Sequence, residues 1–367
     1  MPDDHFLDRK LNERRQHNAF RQLRLPDGKI DFCSNDYLGI ATNGLIEANA
    51  PAVTLPHGSS GSRLLAGNYP LIEEAENALA SFHEAAAGLI FNSGYDANLG
   101  VLSCIAGRGD TILYDQLSHA SIRDGIRLSF AQAFSFLHND MADLEKKLQV
   151  ARQPAGTLFI VTESVFSMDG DQAPLPELVA LCRKYDAHLI VDEAHATGVV
   201  GPKGAGLAQA LGVHQECLAR IHTFGKAVGC HGAIVLGSNR LRDWLVNFSR
   251  ALIYTTALPA ASVQAIRIAY ELFPRLEAER DFLQKLIDRF RQASLAFEKL
   301  ESRTPIQGVI VPGNEAVREV AARLQAAGLD VRPILYPTVP KGGERLRIVL
   351  HAFNTVEELD RLIALLK

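Results

Sequence analysis

Apolar and polar residues alternate along this chain with a changing period. Residues 4–24 set Leu7, Leu11, Phe20 and Leu23 among many charges, which predicts an amphipathic helical arm. Pro26-Asp27-Gly28 breaks it, and Lys29–Cys33 reads as a short strand. Leu71–Phe82 carries apolar positions at helical spacing. From there, short apolar runs alternate with helical stretches. Strands are predicted at 88–91, 111–114, 157–162, 188–191, 221–223 and 233–236. A helix is expected at 176–185 and another at 240–249. Residues 251–259 form a buried, partly irregular run. A long helical region follows from about 261 to 300, interrupted near Pro274. Strands at 306–311, 331–334 and 346–349 with intervening helices close the chain.

This order predicts an α/β protein with a mostly parallel sheet between helices, followed by a smaller α+β domain. The expected division is an amino-terminal arm over 1–40, a large domain over 41–259 and a small carboxy-terminal domain over 260–367. In such sheets functional groups collect beyond the strand C-termini. His119, Ser167, Asp192, His195 and Lys226 all fall just after predicted strands.

The totals narrow the class. With 367 residues, 47% of them hydrophobic and 22% charged, the chain has the composition of a globular protein with a large core. A net charge of −4 without long runs of one sign argues against a nucleic-acid or membrane-surface protein. No stretch approaches the ~20 consecutive apolar residues of a membrane helix. The five cysteines are scattered without metal spacing, so reduced thiols and no metal are expected. The start at Met1-Pro2-Asp3 is polar and unlike a secretory signal, so a cytoplasmic location is expected.

The chemistry centres on Lys226, set among Phe224, Gly225, Ala227 and Val228. Such surroundings suit a buried amine that bonds a carbonyl. Asp192 ends an apolar strand, and His195 follows three residues later. A lysine, an aspartate and a histidine at strand ends are what a pyridoxal phosphate site needs. The run Asn92–Asn98 joins a buried strand to a helix through small polar residues, as at a phosphate-binding helix N-terminus. A plain capped turn would read the same way.

These blocks together resemble the α-oxoamine synthases, pyridoxal-phosphate enzymes of fold type I. The resemblance runs from Asn35-Asp36-Tyr37-Leu38-Gly39 to Arg345-Leu346-Arg347. It includes 92–95, 117–121, 163–171, 192–198 and 223–226. It implies a large domain with a mostly parallel seven-stranded sheet. It also implies that Lys226 holds the cofactor and moves the α-proton, that Asp192 pairs with the ring nitrogen, and that His119 stacks on the ring. Ser167 and His195 match partners of the ring's phenolic oxygen. Ser93, Gly94, Tyr95 and Thr223 match the phosphate side. Thr255 and Thr256 match a segment that reaches the phosphate from the other subunit, implying a homodimer with shared sites. Arg347 resembles the clamp of the amino-acid carboxylate, and Asn35 a residue near it. His351 departs from the small polar residue common after the arginine strand.

Within the family, 35–39, 136–140, 192–195 and 337–342 look most like the members that condense L-alanine with a pimeloyl thioester. Whether the thioester is on coenzyme A or a carrier protein stays open. The alternatives are a glycine C-acetyltransferase and a non-catalytic partner subunit of a heteromeric synthase.

Overall fold

The computed structural model describes residues 4–23, 25, 28–52, 54–151 and 156–367. The expected break at Pro26-Asp27 and the start at Met1-Pro2-Asp3 lie outside the described residues. In chain order the described strands are β1 (Ile30–Asp31), β2 (Ala87–Phe91), β3 (Thr111–Asp115), β4 (Gln132–Phe136), β5 (Leu158–Glu163), β6 (Ala187–Asp192), β7 (Cys217–Thr223), β8 (Ala233–Gly237), β9 (Ile306–Ile310), β10 (Leu329–Asp330), β11 (Arg332–Ile334) and β12 (Arg345–Val349).

The chain forms two compact units. The larger covers 38–167 and 172–280; the smaller covers 1–37, 168–171 and 281–367. Residues 1–37 thus belong with the carboxy-terminal part rather than standing alone as an arm. Several bonds hold them there. β1 pairs in parallel with β10, the Val349 N–H donates to the Phe32 carbonyl at 2.9 Å, and Asn354 Nδ2 donates to the Asp31 carbonyl at 3.1 Å. Residues 260–280 belong to the larger unit, where the helix Ala260–Leu272 packs on the helix Pro70–Phe82.

The larger unit contains a seven-stranded sheet in the order β2-β8-β7-β6-β5-β3-β4. The strands from β7 to β4 run parallel, and β8 is antiparallel to both of its neighbours. All residues of β2 and β5 are buried, as expected for short apolar runs covered on both faces. β4 escaped the sequence reading. It is an edge strand with four of its five residues exposed, so no apolar run marks it.

The helices Gly94–Ile105 and Ala120–Leu128 pack closely. Gly125 makes this approach possible: a Cβ there would lie 2.9 Å from Leu102 Cβ and 3.0 Å from the Asn98 carbonyl oxygen. The arm helix is shorter than expected. It spans Asp8–Gln16 and ends where Asn18 turns left-handed, at φ 49°. Leu7, Leu11 and Leu23 remain exposed, so little tertiary packing extends it. The long helical region divides into Ala260–Leu272 and Glu277–Gln292 and stops eight residues early. The smaller unit has a three-stranded antiparallel sheet, β11-β12-β9. Among the described residues no helix is long and apolar enough to cross a membrane.

A buried polar layer lies behind β7. The His83 and His222 rings are 4.0 Å apart, and neither is exposed. His83 Nε2 lies 3.0 Å from Tyr270 Oη, and His222 Nδ1 lies 2.8 Å from Thr197 Oγ1. Burial is the main cause that pushes His83 down to about 3 and His222 well below its ordinary value. Below the unfolded pKa of ~6.5 the unfolded chain therefore binds protons that the folded one refuses, and stability falls with pH. His222→Leu is expected to make the pH slope of unfolding free energy between pH 6.5 and 4.5 shallower by about 1.4 kcal/mol per unit. Denaturant midpoints across that range measure it; an unchanged slope contradicts it.

Candidate active site

β3, β5, β6 and β7 are parallel and deliver their C-terminal ends to one edge of the sheet. Asp192 is the last residue of β6, and His195 lies three positions beyond. Lys226 follows β7 by three residues, His119 follows β3 by four, and Ser167 follows β5 by four. The sequence order of these residues thus becomes a spatial cluster. Lys226 Nζ stands 2.8 Å from His195 Nε2, close enough to exchange a proton.

Asp192 is buried and well supplied with donors. Its Oδ2 accepts from Asn98 Nδ2 at 2.7 Å, and its Oδ1 accepts from the Ala194 N–H at 2.9 Å. Asn98 Nδ2 also donates to Ser121 Oγ at 3.1 Å, and Ser121 Oγ lies 2.8 Å from His119 Nδ1. His119 caps its helix through the same nitrogen, which accepts from the Ser121 N–H. The His119 N–H donates to Glu163 Oε1 at 2.6 Å. Burial lowers the pKa of His119, while the Asp192 charge opposes that shift.

The helix Gly94–Ile105 presents its N-terminus after β2. Its first amides, at Gly94 and Tyr95, have no intrahelical acceptor by position. A Cβ on Gly94 would come within 3.2 Å of Thr223 Oγ1, so the turn and the end of β7 meet there. Ser93 Oγ accepts from the Asp96 N–H at 3.1 Å and donates to Asp96 Oδ2 at 2.8 Å. Tyr95 Oη donates to Asp124 Oδ2 at 2.5 Å. Thr255 Oγ1 and the Thr256 carbonyl both accept from Asn92 Nδ2, at 2.9 and 2.8 Å. The Ser167 loop is closed at its base by the bridge between Val165 and Gln172.

In the smaller unit, Arg347 lies on β12 and donates through Nη2 to Asn35 Oδ1 at 2.9 Å. Tyr37 Oη donates to the same oxygen at 3.2 Å. Arg345, two residues before Arg347, is bonded to Asp169. His351 is fully buried, with Nε2 3.0 Å from the Ser34 carbonyl oxygen and Nδ1 3.0 Å from Asn354 Oδ1. It anchors the segment that carries Asn35.

Sequence reasoning missed Asn98, Ser121 and Glu163 as parts of the site. Asn98 had a signal: it stands four residues after Gly94, on the same helix face. Glu163 had only its place at the end of a strand.

Comparison with known proteins fits this geometry. Residues 27–366 match the family described as aminotransferase class I and II. The chain belongs to that family. Within it the chain is an α-oxoamine synthase, by likeness over nearly its full length. It is 43% identical to the 8-amino-7-oxononanoate synthase of Emericella nidulans, covering 92% of this chain and 89% of that one. It is 41% identical to that of Marinobacter nauticus, over 97% and 94%. A solved serine palmitoyltransferase from S. paucimobilis, with a bound adduct of PLP and myriocin, superposes with a TM-score of 0.89 at 27% identity, covering 100% of this chain and 98% of that one. As an aminotransferase class I and II member, the chain has the fold type I architecture, which accounts for the parallel strands and their shared functional edge.

Proposed function

We propose that this chain catalyses the 8-amino-7-oxononanoate synthase reaction: L-alanine and a pimeloyl thioester give 8-amino-7-oxononanoate, carbon dioxide and the free thiol. The observation that carries this reading is the identity of 41–43% to relatives of that name over nearly the whole chain. The cofactor is pyridoxal phosphate, and the donor set fits it. The Gly94 turn leaves space beside Thr223 that a Cβ would fill. Asn98 Oδ1 is buried beside Asp192 with no hydrogen-bond partner among the described residues, which suits a ring bearing an N–H.

Lys226 would hold the cofactor and Asp192 would face its ring nitrogen. His119 would lie against the ring, and Ser167 and His195 would serve the phenolic oxygen. Ser93, Gly94, Tyr95 and Thr223 would take the phosphate, with Thr255 and Thr256 serving the partner copy of a homodimer. When bound, pyridoxal phosphate supplies an electron sink for the charge that develops on the alanine α-carbon.

The protein's own groups do the rest. Lys226 Nζ takes the α-proton, a task that needs the neutral amine. His195 Nε2, at 2.8 Å, receives or returns the proton that makes the amine available. The carboxylate of Asp192 is fixed in place by two N–H donors. Arg347 binds the alanine carboxylate through its planar fork, with Asn35 orienting the guanidinium at 2.9 Å.

The test offers L-alanine, glycine and L-serine separately, each with pimeloyl-, acetyl- and succinyl-coenzyme A, and measures thiol and carbon dioxide release. L-alanine with the pimeloyl thioester is expected to be the productive pair. Glycine with acetyl-coenzyme A as the sole productive pair overturns the reading.

A further inference from the structure

Glu163 is a buried carboxylate that the proposed reaction does not use. It ends β5, and its register partner on β6 is Asp192, the carboxylate assigned to the ring nitrogen. Side chains in register on adjacent parallel strands point to the same face. Glu163 is 3% exposed and Asp192 6%. Two carboxylates brought together out of water do not both ionise readily; one proton stays with the pair.

The two carboxyls differ in their hydrogen bonds. Asp192 accepts two N–H donors, from Asn98 at 2.7 Å and Ala194 at 2.9 Å. Glu163 accepts from the His119 N–H at 2.6 Å. The other groups facing Glu163 are Lys226, from the turn after β7, and Asp115, from the end of β3. Asp115 adds a second negative neighbour and is itself within 3.0 Å of His138 Nδ1. Lys226 pulls the other way, and His195 stands against that lysine.

We propose that Glu163 is a positioning residue that serves in its protonated form: its Oε1 holds the turn that carries His119, beside Asp192. Hydrogen bonds then run from Asp192 through Asn98 and Ser121 to the His119 ring, and from the His119 backbone to Glu163, back beside Asp192. The ring partner and the stacking histidine are thereby set by one buried frame. Burial, followed by the Asp192 charge, pushes the Glu163 carboxyl up to about 8, in keeping with a proton held at neutral pH.

The inference rests on the site assignment made above, and its test is separable from it. Infrared difference spectra of wild type against Glu163→Gln are recorded on the cofactor-free full chain. At pH 7 they are expected to show the carbonyl band of a protonated carboxylic acid, lost as pH rises past about 8. Absence of that band overturns the protonation, whatever the cofactor does. Glu163→Gln keeps the acceptor oxygen without a charge. It is expected to rescue the cofactor binding that Glu163→Ala loses, to a dissociation constant within about threefold of wild type. Glu163→Ala, which frees the His119 turn, is expected to weaken cofactor binding at least about tenfold, the worth of one buried hydrogen bond. Wild-type binding by Glu163→Ala overturns the positioning role, and a Glu163→Gln as impaired as Glu163→Ala overturns the neutral form. If Glu163→Ala fails to fold, the infrared band and Glu163→Gln decide the question between them. Failure of Lys226→Ala to lose the cofactor link would instead strike at the site assignment.

Discussion

Lys226→Ala is expected to lose the visible absorbance of the bound cofactor and at least about 10⁴-fold in turnover, since anchor and base disappear together. The geometry makes this the largest effect in the chain. Lys226 Nζ is 2.8 Å from His195 Nε2, so the amine has a proton partner in place. It follows β7 at the edge where β6 delivers Asp192. No neighbouring residue duplicates its amine: 223–232 contains no second lysine. The variant should still fold, because Lys226 lies in a turn set by bonds of Phe224, Gly229 and Cys230. An absorbance scan, thiol release and a thermal melt check the three parts. Full activity in a folded Lys226→Ala protein would overturn the proposed mechanism.

Asp192→Asn is expected to lower kcat by about 10³-fold, with pyridoxal phosphate still bound. The substitution keeps the shape but removes the carboxylate proposed to face the ring nitrogen. It also leaves one acceptor oxygen for two donors, Asn98 Nδ2 at 2.7 Å and the Ala194 N–H at 2.9 Å. Cofactor titration separates lost binding from lost catalysis, and single-turnover rates give the size of the effect. A kcat within tenfold of wild type would remove Asp192 from the assigned role.

The legible part of the site follows from the parallel sheet. A strand is a short apolar run, and its functional residue comes a few positions later. Asp192, His195, Lys226 and His119 could therefore be read in order along the chain. Thr223 and Gly94 were matched through motifs, and only the folded chain shows that they meet. Asn98 had only its helical spacing from Gly94, and Ser121 and Glu163 lacked a comparable local signal. Their roles arise from pairing across elements: Asn98 lies 94 residues from Asp192, and Glu163 lies 44 from His119. Neither separation has a period that sequence reading can detect.

The same contrast holds for the fold. Patterning along the chain determined the alternation of strand and helix and the strands of the sheet whose residues are buried. It did not reveal β4, since an edge strand needs no apolar face to mark it. It also did not show that residues 1–37 join the carboxy-terminal unit, because β1 is two residues long and is fixed by its bonds to β10. Local burial and turn chemistry write themselves into neighbouring residues, so the sequence by itself determined the architecture and the places of Lys226, Asp192, His119 and His195 just beyond strand ends. Hydrogen bonds between distant segments have no local pattern. Only the tertiary structure therefore decided how Asp192 and His119 are held, and that Glu163 lies beside them.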